Sequence, residues 1–261
     1  MAPILSTSGL ARTFETKHGT VEAVRGITMS VEQGETLGFL GPNGAGKSTT
    51  LRMLTTLLPP SRGTAMVAGH DLAREPEAVR QRIGYVAQSG GVSPEETVRD
   101  ELTLQGRLYR LSKSQARRRT EQLARDLDLV ELLDRKCSEL SGGQRRRLDI
   151  AMALTHRPSI LFLDEPTTGL DPGSRADVWD LVRRVRAEQG TTVFLTTHYL
   201  DEADALADRL IIVDGGRIVA EGTPQDLKMR YCGSPHASLQ DTFIAITGHG
   251  PKQHEAEPVA V

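Results

Sequence analysis

The sequence predicts an α/β protein with a helical insertion, and three observations support this fold class. Short apolar segments rich in β-branched residues alternate with segments of helical periodicity along most of the chain. The alternation stops between about residue 89 and residue 140, where only helical spacing of leucine and valine remains. Near the start, the glycine-rich stretch GPNGAGKST separates an apolar segment from an amphipathic one. The 261 residues suffice for one large domain or two small ones.

Five segments before the insertion are predicted as strands, because they are rich in β-branched residues or alternate in polarity. They are ILSTSGLARTF, GITMSVEQ, TLGFLG, TAMVAG and RIGYVAQ. Between the third and fourth of them, GKSTTLRMLTTLL has helical spacing, and LPPSRG is expected to end that helix.

The insertion contains two segments of helical spacing, TVRDELTLQGRLYRL and SKSQARRRTEQLARDLDLVELL. A third helix is predicted for LSGGQRRRLDIAMAL, because Ser141 followed by Gln144 has the spacing of a capping box. The helical subdomain is therefore expected over about residues 89–157.

Strands and helices alternate again after the insertion. The predicted strands are SILFLD, TTVFLTT, RLIIVDGG and RIVAEG, and the predicted helices are SRADVWDLVRRVRAEQ and YLDEADALA. A short extension at about residues 223–247 is expected to hold one or two amphipathic helices, including SLQDTFIAIT. Residues 248–261 are predicted to be a disordered tail.

Composition places the chain among globular proteins rather than membrane-spanning ones. Hydrophobic residues make up 38% and charged residues 25%. The longest apolar runs, ILFL and LIIV, are far shorter than the ~20 residues that span a bilayer. The N-terminal segment has no signal-peptide pattern. We therefore expect a cytosolic chain that reaches a membrane only through a partner, and the net charge of −2 indicates no general attraction to nucleic acid.

The cysteines and histidines do not predict a metal cluster. Cys137 and Cys232 lie far apart and form no CxxC pair, and a cytosolic chain keeps them reduced. The seven histidines show no HxxxH or HExxH spacing.

The glycine-rich stretch predicts a phosphate site. It fits G-x-x-x-x-G-K-[ST] between a strand and a helix, which is the setting of a P-loop rather than of a glycine-rich turn with an exposed lysine. The glycines let backbone N–H groups approach phosphates, Lys47 neutralises the β and γ phosphates, and Ser48 places its hydroxyl on Mg²⁺. The predicted nucleotide-binding residues are Gly41, Pro42, Asn43, Gly44, Ala45, Gly46, Lys47, Ser48 and Thr49.

Two adjacent carboxylates complement this site in ILFLDEPTTGLD. Asp164 ends an apolar strand, where a P-loop protein needs its metal-linked carboxylate. Glu165 follows, and it is predicted to polarise the attacking water while Asp164 holds the metal. The alternative for Glu165 is a solvated loop carboxylate.

A second anion site is predicted where the capped helix begins, at LSGGQ. Free N–H groups at a helix N-terminus attract anions, and two glycines remove side-chain bulk there. The residues involved are Ser141, Gly142, Gly143 and Gln144. An ordinary capped helix is the alternative interpretation.

Taken together, these residues resemble the nucleotide-binding subunits of ATP-binding cassette (ABC) transporters over about Leu5 to Gly222. Six motifs occur in the order of that family: the P-loop, Gln88 after IGYVA, LSGGQ, ILFLDE, the GLD that ends at Asp171, and His198 in LTTH. The resemblance implies a P-loop NTPase core with an inserted helical subdomain and an antiparallel β subdomain. Residues 1–247 would form that ATPase domain.

The resemblance also implies roles for residues that spacing alone does not explain. In the ATP-bound state two copies, or this chain and a similar ATPase, would associate head to tail, so that Ser141 and the N–H of Gly143 contact the γ-phosphate of a nucleotide held by the other copy's P-loop. Asp171 would lie across the dimer seam. Three further residues match family positions: Gln88 would contact Mg²⁺ and the water, His198 the γ-phosphate, and Phe14 the adenine. Core packing is the alternative for Phe14.

Three stretches resemble the daunorubicin-resistance group of bacterial drug-export ATPases, which work with separate membrane subunits of the ABC-2 type. They are DRKCSELSGGQRRRLDIAMAL, TTHYLDEADALADR and SLQDTFIAITG. The resemblance implies export of a drug-like or lipid-like substrate, at the cytoplasmic face of the plasma membrane.

Other classes of function stay open at this point. One is a non-transport ABC ATPase of translation or DNA repair, and another is an inactive nucleotide-binding regulator. The arginine runs ARRR, RRR and RRVR are interpreted as solvated helix faces rather than as nucleic-acid contacts.

Overall fold

The computed structural model of the chain describes residues 2–17 and 19–248. Within these ranges the strands are β1 (Leu5–Thr16), β2 (Gly19–Val31), β3 (Thr36–Leu40), β4 (Arg62–Val67), β5 (His70–Asp71), β6 (Ile83–Val86), β7 (Ile160–Asp164), β8 (Thr192–Thr197), β9 (Arg209–Asp214) and β10 (Arg217–Gly222). The helices are α1 (Lys47–Leu54), α2 (Pro76–Arg82), α3 (Val98–Leu108), α4 (Lys113–Asp126), α5 (Gly142–Ala153), α6 (Pro172–Gln189), α7 (Leu200–Leu206), α8 (Pro224–Cys232) and α9 (Leu239–Thr247).

The strands form two sheets. The six-stranded sheet has the order β10-β9-β3-β8-β7-β6, and all its pairs are parallel except β10 with β9. The four-stranded sheet has the order β2-β1-β4-β5 and is antiparallel throughout. This arrangement confirms the predicted fold class, an α/β core with an antiparallel β subdomain.

The central strands of the parallel sheet are buried along their whole length. Every residue of β3, β7 and β8 is buried, as expected for strands covered on both faces. Phe194 of β8 contacts Phe39 of β3 and Phe162 of β7, with ring centroids 5.5 and 5.4 Å apart. Because these neighbouring strands are parallel, the loops at their carboxyl ends meet at one edge of the sheet, where open α/β sheets bind ligands.

Between β6 and β7 the chain is mainly helical, with α3, α4 and α5, two 3₁₀ turns, and one isolated bridge from Thr97 to Lys136. The helix predicted to continue through LDLVELL is shorter than expected, since α4 ends at Asp126. Asp128 has φ +56°, and a 3₁₀ turn follows at Val130–Leu132. Leu127 and Leu129 would point about 200° apart on one helix, and the break allows both to be fully buried.

Two further elements differ from the prediction. The helix expected for GKSTTLRMLTTLL ends at Leu54, and Thr56 adopts φ +63° just beyond it. The segment between β4 and β6 contains β5 and α2, which the sequence patterns did not indicate.

The C-terminal extension contains two short helices, α8 and α9, each with a Thr or Ser side chain at its N-cap. Gly248 caps the end of α9, and the rest of the tail predicted to be disordered lies outside the described residues. None of the helices in the described ranges is both long and apolar enough to cross a membrane.

Candidate active site

The P-loop joins the carboxyl end of β3 to the start of α1, and its glycines allow a tight approach of the backbone. A Cβ added at Gly41 would meet the Val213 carbonyl oxygen at 2.4 Å. Gly46 has φ +93°, and a Cβ there would meet the carbonyl oxygen of Ala23 at 2.4 Å. Gly46 is also the N-cap of α1, so no side chain caps that helix. The free N–H groups at its N-terminus are therefore left for an anion.

Lys47 lies buried in the middle of the site. Its Nζ donates to the carbonyl oxygens of Gly41 and Pro42 at 2.9 and 3.2 Å, and it lies 3.2 Å from Glu165 Oε1. Burial lowers the pKa of Lys47, while Glu165 and Asp164 oppose that shift. The lysine is thus a largely dehydrated cation that can exchange a carboxylate partner for a phosphate.

Ser48 and Asp164 supply two oxygen atoms at one point beside the P-loop. Ser48 Oγ donates to Asp164 Oδ1 at 2.9 Å, and Thr196 Oγ1 donates to the same oxygen at 2.7 Å. Such a pair suits Mg²⁺, which is usually held by one or two protein oxygens together with phosphates and water. Among the described residues, no group of three or more His, Cys, Asp or Glu side chains is placed to hold a metal on its own.

Glu165 occupies a constrained position at the end of β7. Its φ is +47°, which is unusual for a residue with a side chain, and its N–H donates to the Thr196 carbonyl oxygen at 3.1 Å. Gln88 Nε2 and Thr168 Oγ1 donate to Glu165 Oε2 at 3.2 and 3.3 Å. This carboxylate oxygen therefore accepts from one side chain of the segment after β6 and from one side chain of its own loop.

The charge state of Glu165 depends on its two neighbours His198 and Lys47. Burial raises the pKa of this carboxyl, but His198 and Lys47 outweigh burial and bring the pKa to about 2. His198 Nδ1 lies 3.2 Å from Glu165 Oε1, a contact that becomes an ion pair only when the imidazole is protonated. Because the Lys47 contact favours the ionised form, transfer of Lys47 to a phosphate would raise the basicity of Glu165.

Lys47, Ser48, Gln88, Glu165 and His198 line one open pocket of about 590 Å³. Asp164 is buried and is not part of the lining, although it accepts a hydrogen bond from Ser48. The pocket lining comprises Ala23, Asn43, Gly44, Gly46, Lys47, Ser48, Thr49, Gln88, Glu165, Thr168, His198 and Tyr199. Three of these were not singled out from the sequence. Thr168 and Tyr199 adjoin predicted motifs, so their neighbours could have indicated them, whereas no sequence pattern marks Ala23.

The LSGGQ residues lie outside this pocket. Ser141 Oγ accepts from the Gln144 N–H at 3.3 Å, and Gln144 Oε1 accepts from the Ser141 N–H at 3.0 Å. The predicted capping box is therefore present at the start of α5. A Cβ on Gly143 would meet Ser174 Oγ at 3.0 Å, so this glycine lets α5 pack closely against α6.

Asp171 and Phe14 are not part of the pocket lining either. Asp171 caps α6, because its Oδ1 accepts from the Ser174 N–H at 3.0 Å. Hydrogen bonds from Ser174 lower the pKa of this carboxyl. The half-buried ring of Phe14 has the Arg12 guanidinium 4.7 Å above it, so one face is already covered.

Interpreting the arginine runs as solvated helix faces was wrong for two residues, which are buried. Arg146 Nη1 and Nη2 donate to the carbonyl oxygens of Ala87 and Gln88 at 2.7 and 3.0 Å. Arg119 likewise donates from Nη2 to the Leu154 carbonyl oxygen at 2.6 Å. Arg146 thereby ties α5 to the loop that carries Gln88. In the sequence, Arg146 was marked only by its place in the RRR run beside LSGGQ.

Comparison with known families decides the identity of this arrangement. A family model described as ABC transporter matches residues 24–168. The chain belongs to this family. The matched range includes the P-loop, Gln88, LSGGQ and both carboxylates of ILFLDE. The resemblance found in the sequence is confirmed.

Similar curated proteins of the ABC family include ATP-binding proteins of drug resistance. The chain is 51% identical, over 86% of its length and 66% of the relative's, to the daunorubicin/doxorubicin resistance ATP-binding protein DrrA of Streptomyces peucetius. It is 42% identical, over 95% and 76%, to the doxorubicin resistance ATP-binding protein DrrA of Mycobacterium tuberculosis. It is 40% identical, over 91% and 81%, to the Nod factor export ATP-binding protein I of Burkholderia orbicola. The chain thus spans about two thirds of the length of the first relative.

Solved ABC cassettes share the fold. The dimeric post-hydrolysis structure of the cassette MJ0796 with ADP and Pi has a TM-score of 0.76 and 25% identity, covering 84% of this chain and 98% of that one. An ATP-binding subunit of an ABC transporter has a TM-score of 0.80 and 29% identity, covering 94% and 99%. These comparisons confirm the fold and identify the chain as an ATP-binding ABC ATPase cassette.

Proposed function

We propose that this ABC ATPase powers export of a drug-like or lipid-like substrate through a separate ABC-2-type membrane subunit. The observation that carries the proposal is the 51% identity to a daunorubicin/doxorubicin resistance ATP-binding protein. The similarity to Nod factor export proteins also favours export. A role in translation or DNA repair is not favoured, since these relatives are named for resistance and export. The cassette would act at the cytoplasmic face of the membrane.

The proposed roles in hydrolysis follow from the contacts in the pocket. Backbone N–H groups of the P-loop and Lys47 would bind the phosphates of ATP, and Phe14 would stack on adenine. Ser48 and Asp164, whose oxygens lie 2.9 Å apart, would hold Mg²⁺ with help from Gln88. The metal would neutralise charge on the transferred phosphoryl group.

Glu165 is the group best placed to activate water in this pocket. It has low exposure, and Gln88 and Thr168 fix its orientation. His198 would contact the γ-phosphate, since its ring lies beside Glu165 and lines the same pocket. A carboxylate that has lost the Lys47 contact is a stronger base, so phosphate binding and base activation would be linked.

A head-to-tail dimer accounts for the second anion site. Ser141, Gly142, Gly143 and Gln144 do not line their own chain's pocket, and neither does Asp171. In the proposed dimer, the N-terminus of α5 from one copy completes the pocket of the other copy. A lysine-free anion site of this kind contributes binding energy only when the γ-phosphate is present, and so can couple ATP binding to closure.

Mixing two inactive variants tests this arrangement. Lys47→Ala and Ser141→Arg should each abolish activity alone, because both composite sites of each homodimer lack one half. In the mixed dimer, one composite site contains both an intact Lys47 and an intact Ser141. We expect mixing to restore part of the ATPase activity, measured as phosphate release.

Nucleotide binding provides the control for this experiment. Ser141→Arg adds bulk only where the other copy's γ-phosphate docks, so the isolated monomer should bind ATP with nearly unchanged affinity. Loss of ATP binding by that monomer would show that LSGGQ contacts its own chain's nucleotide and would contradict the proposed dimer.

Export is tested by reconstitution with the membrane partner. We expect the tagged chain to copurify from solubilised membranes with one ABC-2-type membrane protein. Proteoliposomes containing both subunits should move doxorubicin in an ATP-dependent manner, and proteoliposomes with Lys47→Ala should not. ATP hydrolysis without doxorubicin movement would reject the substrate class, whereas copurification with ribosomes instead would reject transport.

A further inference from the structure

We propose that Glu202 is a positioning residue that holds the loop after Glu165 against the loop that carries His198. The first of these, residues 166–171, is called the post-strand loop here, and the second, residues 197–199, the switch loop. Glu202 does not line the nucleotide pocket. It lies in TTHYLDEADALADR, one of the stretches that carry the family resemblance, but none of the roles assigned above falls to it. The proposal rests on the roles proposed for Glu165 and His198.

Glu202 is fully buried in α7, where a charged side chain is rarely found. Its Oε1 accepts a hydrogen bond from Thr167 Oγ1 at 2.7 Å and another from Trp179 Nε1 at 3.2 Å. Thr167 is itself fully buried. One carboxyl oxygen therefore connects α7 to the post-strand loop and to α6.

The chain on either side of these contacts leads directly to the pocket. Thr167 is two residues beyond Glu165, and the next residue, Thr168, donates to Glu165 Oε2 at 3.3 Å. At the other end, α7 begins just after the switch loop, four residues from His198 to Glu202. A shift of Glu202 relative to Thr167 would consequently move Glu165 and His198 relative to each other.

A second contact joins the same two loops at the surface. The guanidinium of Arg175 lies 4.2 Å from the centroid of the Tyr199 ring, and its Nε donates to the Leu170 carbonyl oxygen at 3.1 Å. Arg175 is less buried than Glu202 and its hydrogen bond is to backbone only. Glu202 thus supplies the buried, side-chain-specific part of the connection.

Burying this carboxyl is costly, which argues against a purely space-filling role. Burial raises the pKa of Glu202. An apolar side chain of similar volume would avoid the cost of burying a polar acid. An apolar side chain could not accept the hydrogen bond from Thr167. This contact therefore explains why an acid occupies the position.

The arrangement fits a neutral carboxylic acid. Oε1 accepts both hydrogen bonds, whereas Oε2 has no hydrogen-bond partner among the described residues. The nearby charged groups are Asp201 on the same helix, which disfavours ionisation, and Arg146 of α5. α6 and β8 contribute the neutral groups of Trp179 and Thr197. Glutamine is an isostere of the neutral acid, so Glu202→Gln should preserve the contact.

ATPase kinetics of the full chain test the proposal, with four variants measured beside the wild type. Glu202→Ala and Thr167→Val both remove the connection, and each should lower kcat up to about 10²-fold through misplacement of the reacting groups. The KM for ATP should change little, because the P-loop is untouched. Glu202→Gln should retain nearly full kcat.

Trp179→Phe is the matched control. It removes the other hydrogen bond to the same oxygen, but from α6 rather than from the post-strand loop. We expect this variant to lower the Tm without lowering kcat. Equal losses of kcat in Trp179→Phe and Thr167→Val would overturn the proposal, as would a Glu202→Gln variant as impaired as Glu202→Ala.

The pH dependence of stability gives a readout independent of activity. A carboxyl with a raised pKa in the folded state stabilises the fold most below its unfolded pKa, and this stability is lost as the pH rises. The Tm of Glu202→Gln minus the Tm of the wild type should therefore increase from pH 5 to pH 8. A Tm difference that stays constant over this range would show that Glu202 is ionised. Glutamine would then not be an isostere of this side chain.

Glu165→Gln separates failure of this inference from failure of the proposed site. If Glu165→Gln hydrolyses ATP as fast as the wild type, the assigned role of Glu165 is wrong. If Glu165→Gln is inactive while Thr167→Val and Glu202→Ala keep full kcat in folded protein, the site stands and Glu202 has no positioning role.

Discussion

Lys47→Ala is expected to abolish Mg²⁺-dependent ATP hydrolysis. The side chain is the one buried lysine among the residues that line the pocket in the described structure, and it contacts both the P-loop carbonyl oxygens and Glu165. A single hydrogen-bond donor to transition-state charge typically contributes a factor of about 10²–10³ to kcat. Lys47→Ala also removes a full positive charge beside the phosphates, so nucleotide binding should be weaker as well. Phosphate release by purified protein measures the effect.

Lys228→Ala is a matched control for this replacement. Lys228 also pairs with a carboxylate, since its Nζ lies 2.7 Å from Asp204 Oδ1, but it does not line the nucleotide pocket. Its removal should leave the hydrolysis rate unchanged. Equal rates for the wild type and Lys47→Ala would refute the phosphate-binding role of the P-loop lysine.

Lys47→Ala is also expected to change the stability of the protein in acid. Lys47 helps to hold the pKa of Glu165 at about 2, below its ordinary value of 4.5. A depressed carboxyl pKa adds stability above pH 4.5 that is lost as the pH falls toward 2. Without Lys47 the depression is smaller, so the Tm of Lys47→Ala should fall less steeply over this interval than the Tm of the wild type.

Glu165→Gln should bind ATP and hydrolyse it roughly 10²–10⁴-fold more slowly, because an amide cannot accept the proton of the attacking water. Its carbonyl oxygen can still accept the hydrogen bonds from Gln88 and Thr168, whereas its NH2 group cannot accept from Lys47. With hydrolysis blocked, the closed dimer should accumulate. Size-exclusion chromatography with Mg²⁺-ATP should therefore show a shift from monomer to dimer.

Glu75→Gln gives the corresponding change at an exposed site outside the pocket and should leave both hydrolysis and elution unchanged. A Glu165→Gln protein that stays monomeric with ATP at high concentration would contradict the sandwich dimer of the isolated chain. A Glu165→Gln protein with wild-type hydrolysis would contradict the assignment of the base.

Much of the site was predictable because its chemistry depends on local spacing. The P-loop needs glycines and a lysine at set intervals along one turn, and the capping box needs Ser141 and Gln144 three residues apart. Both features are present as expected in the structure. Asp164 was found by the same logic, since a carboxylate at the end of a buried strand lies at the edge where the P-loop begins.

The interpretation of helix faces was less reliable, because it uses charge alone. Arg146 and Arg119 lie in runs of arginine that predict solvent-exposed helix faces. Both are nevertheless buried, and both donate hydrogen bonds to carbonyl oxygens of distant segments. The end of α4 was also missed, since the spacing of Leu127 and Leu129 looks helical only when neighbouring leucines are counted with them. For both arginines the hydrogen-bond partner lies far away in the sequence.

The sequence by itself determined the fold class and predicted the phosphate site and its paired carboxylates, since these follow from periodicity and from residues close together in the chain. Only the tertiary structure decided that Lys47 pairs with Glu165, that Arg146 joins α5 to the Gln88 loop, and that Glu202 accepts a hydrogen bond from Thr167. These contacts join segments brought together by the order of strands in the parallel sheet and by the packing of helices on it. The partners are separated by tens of residues or more, so no local pattern records them, and burial favours each pairing because an unpaired polar group there is costly.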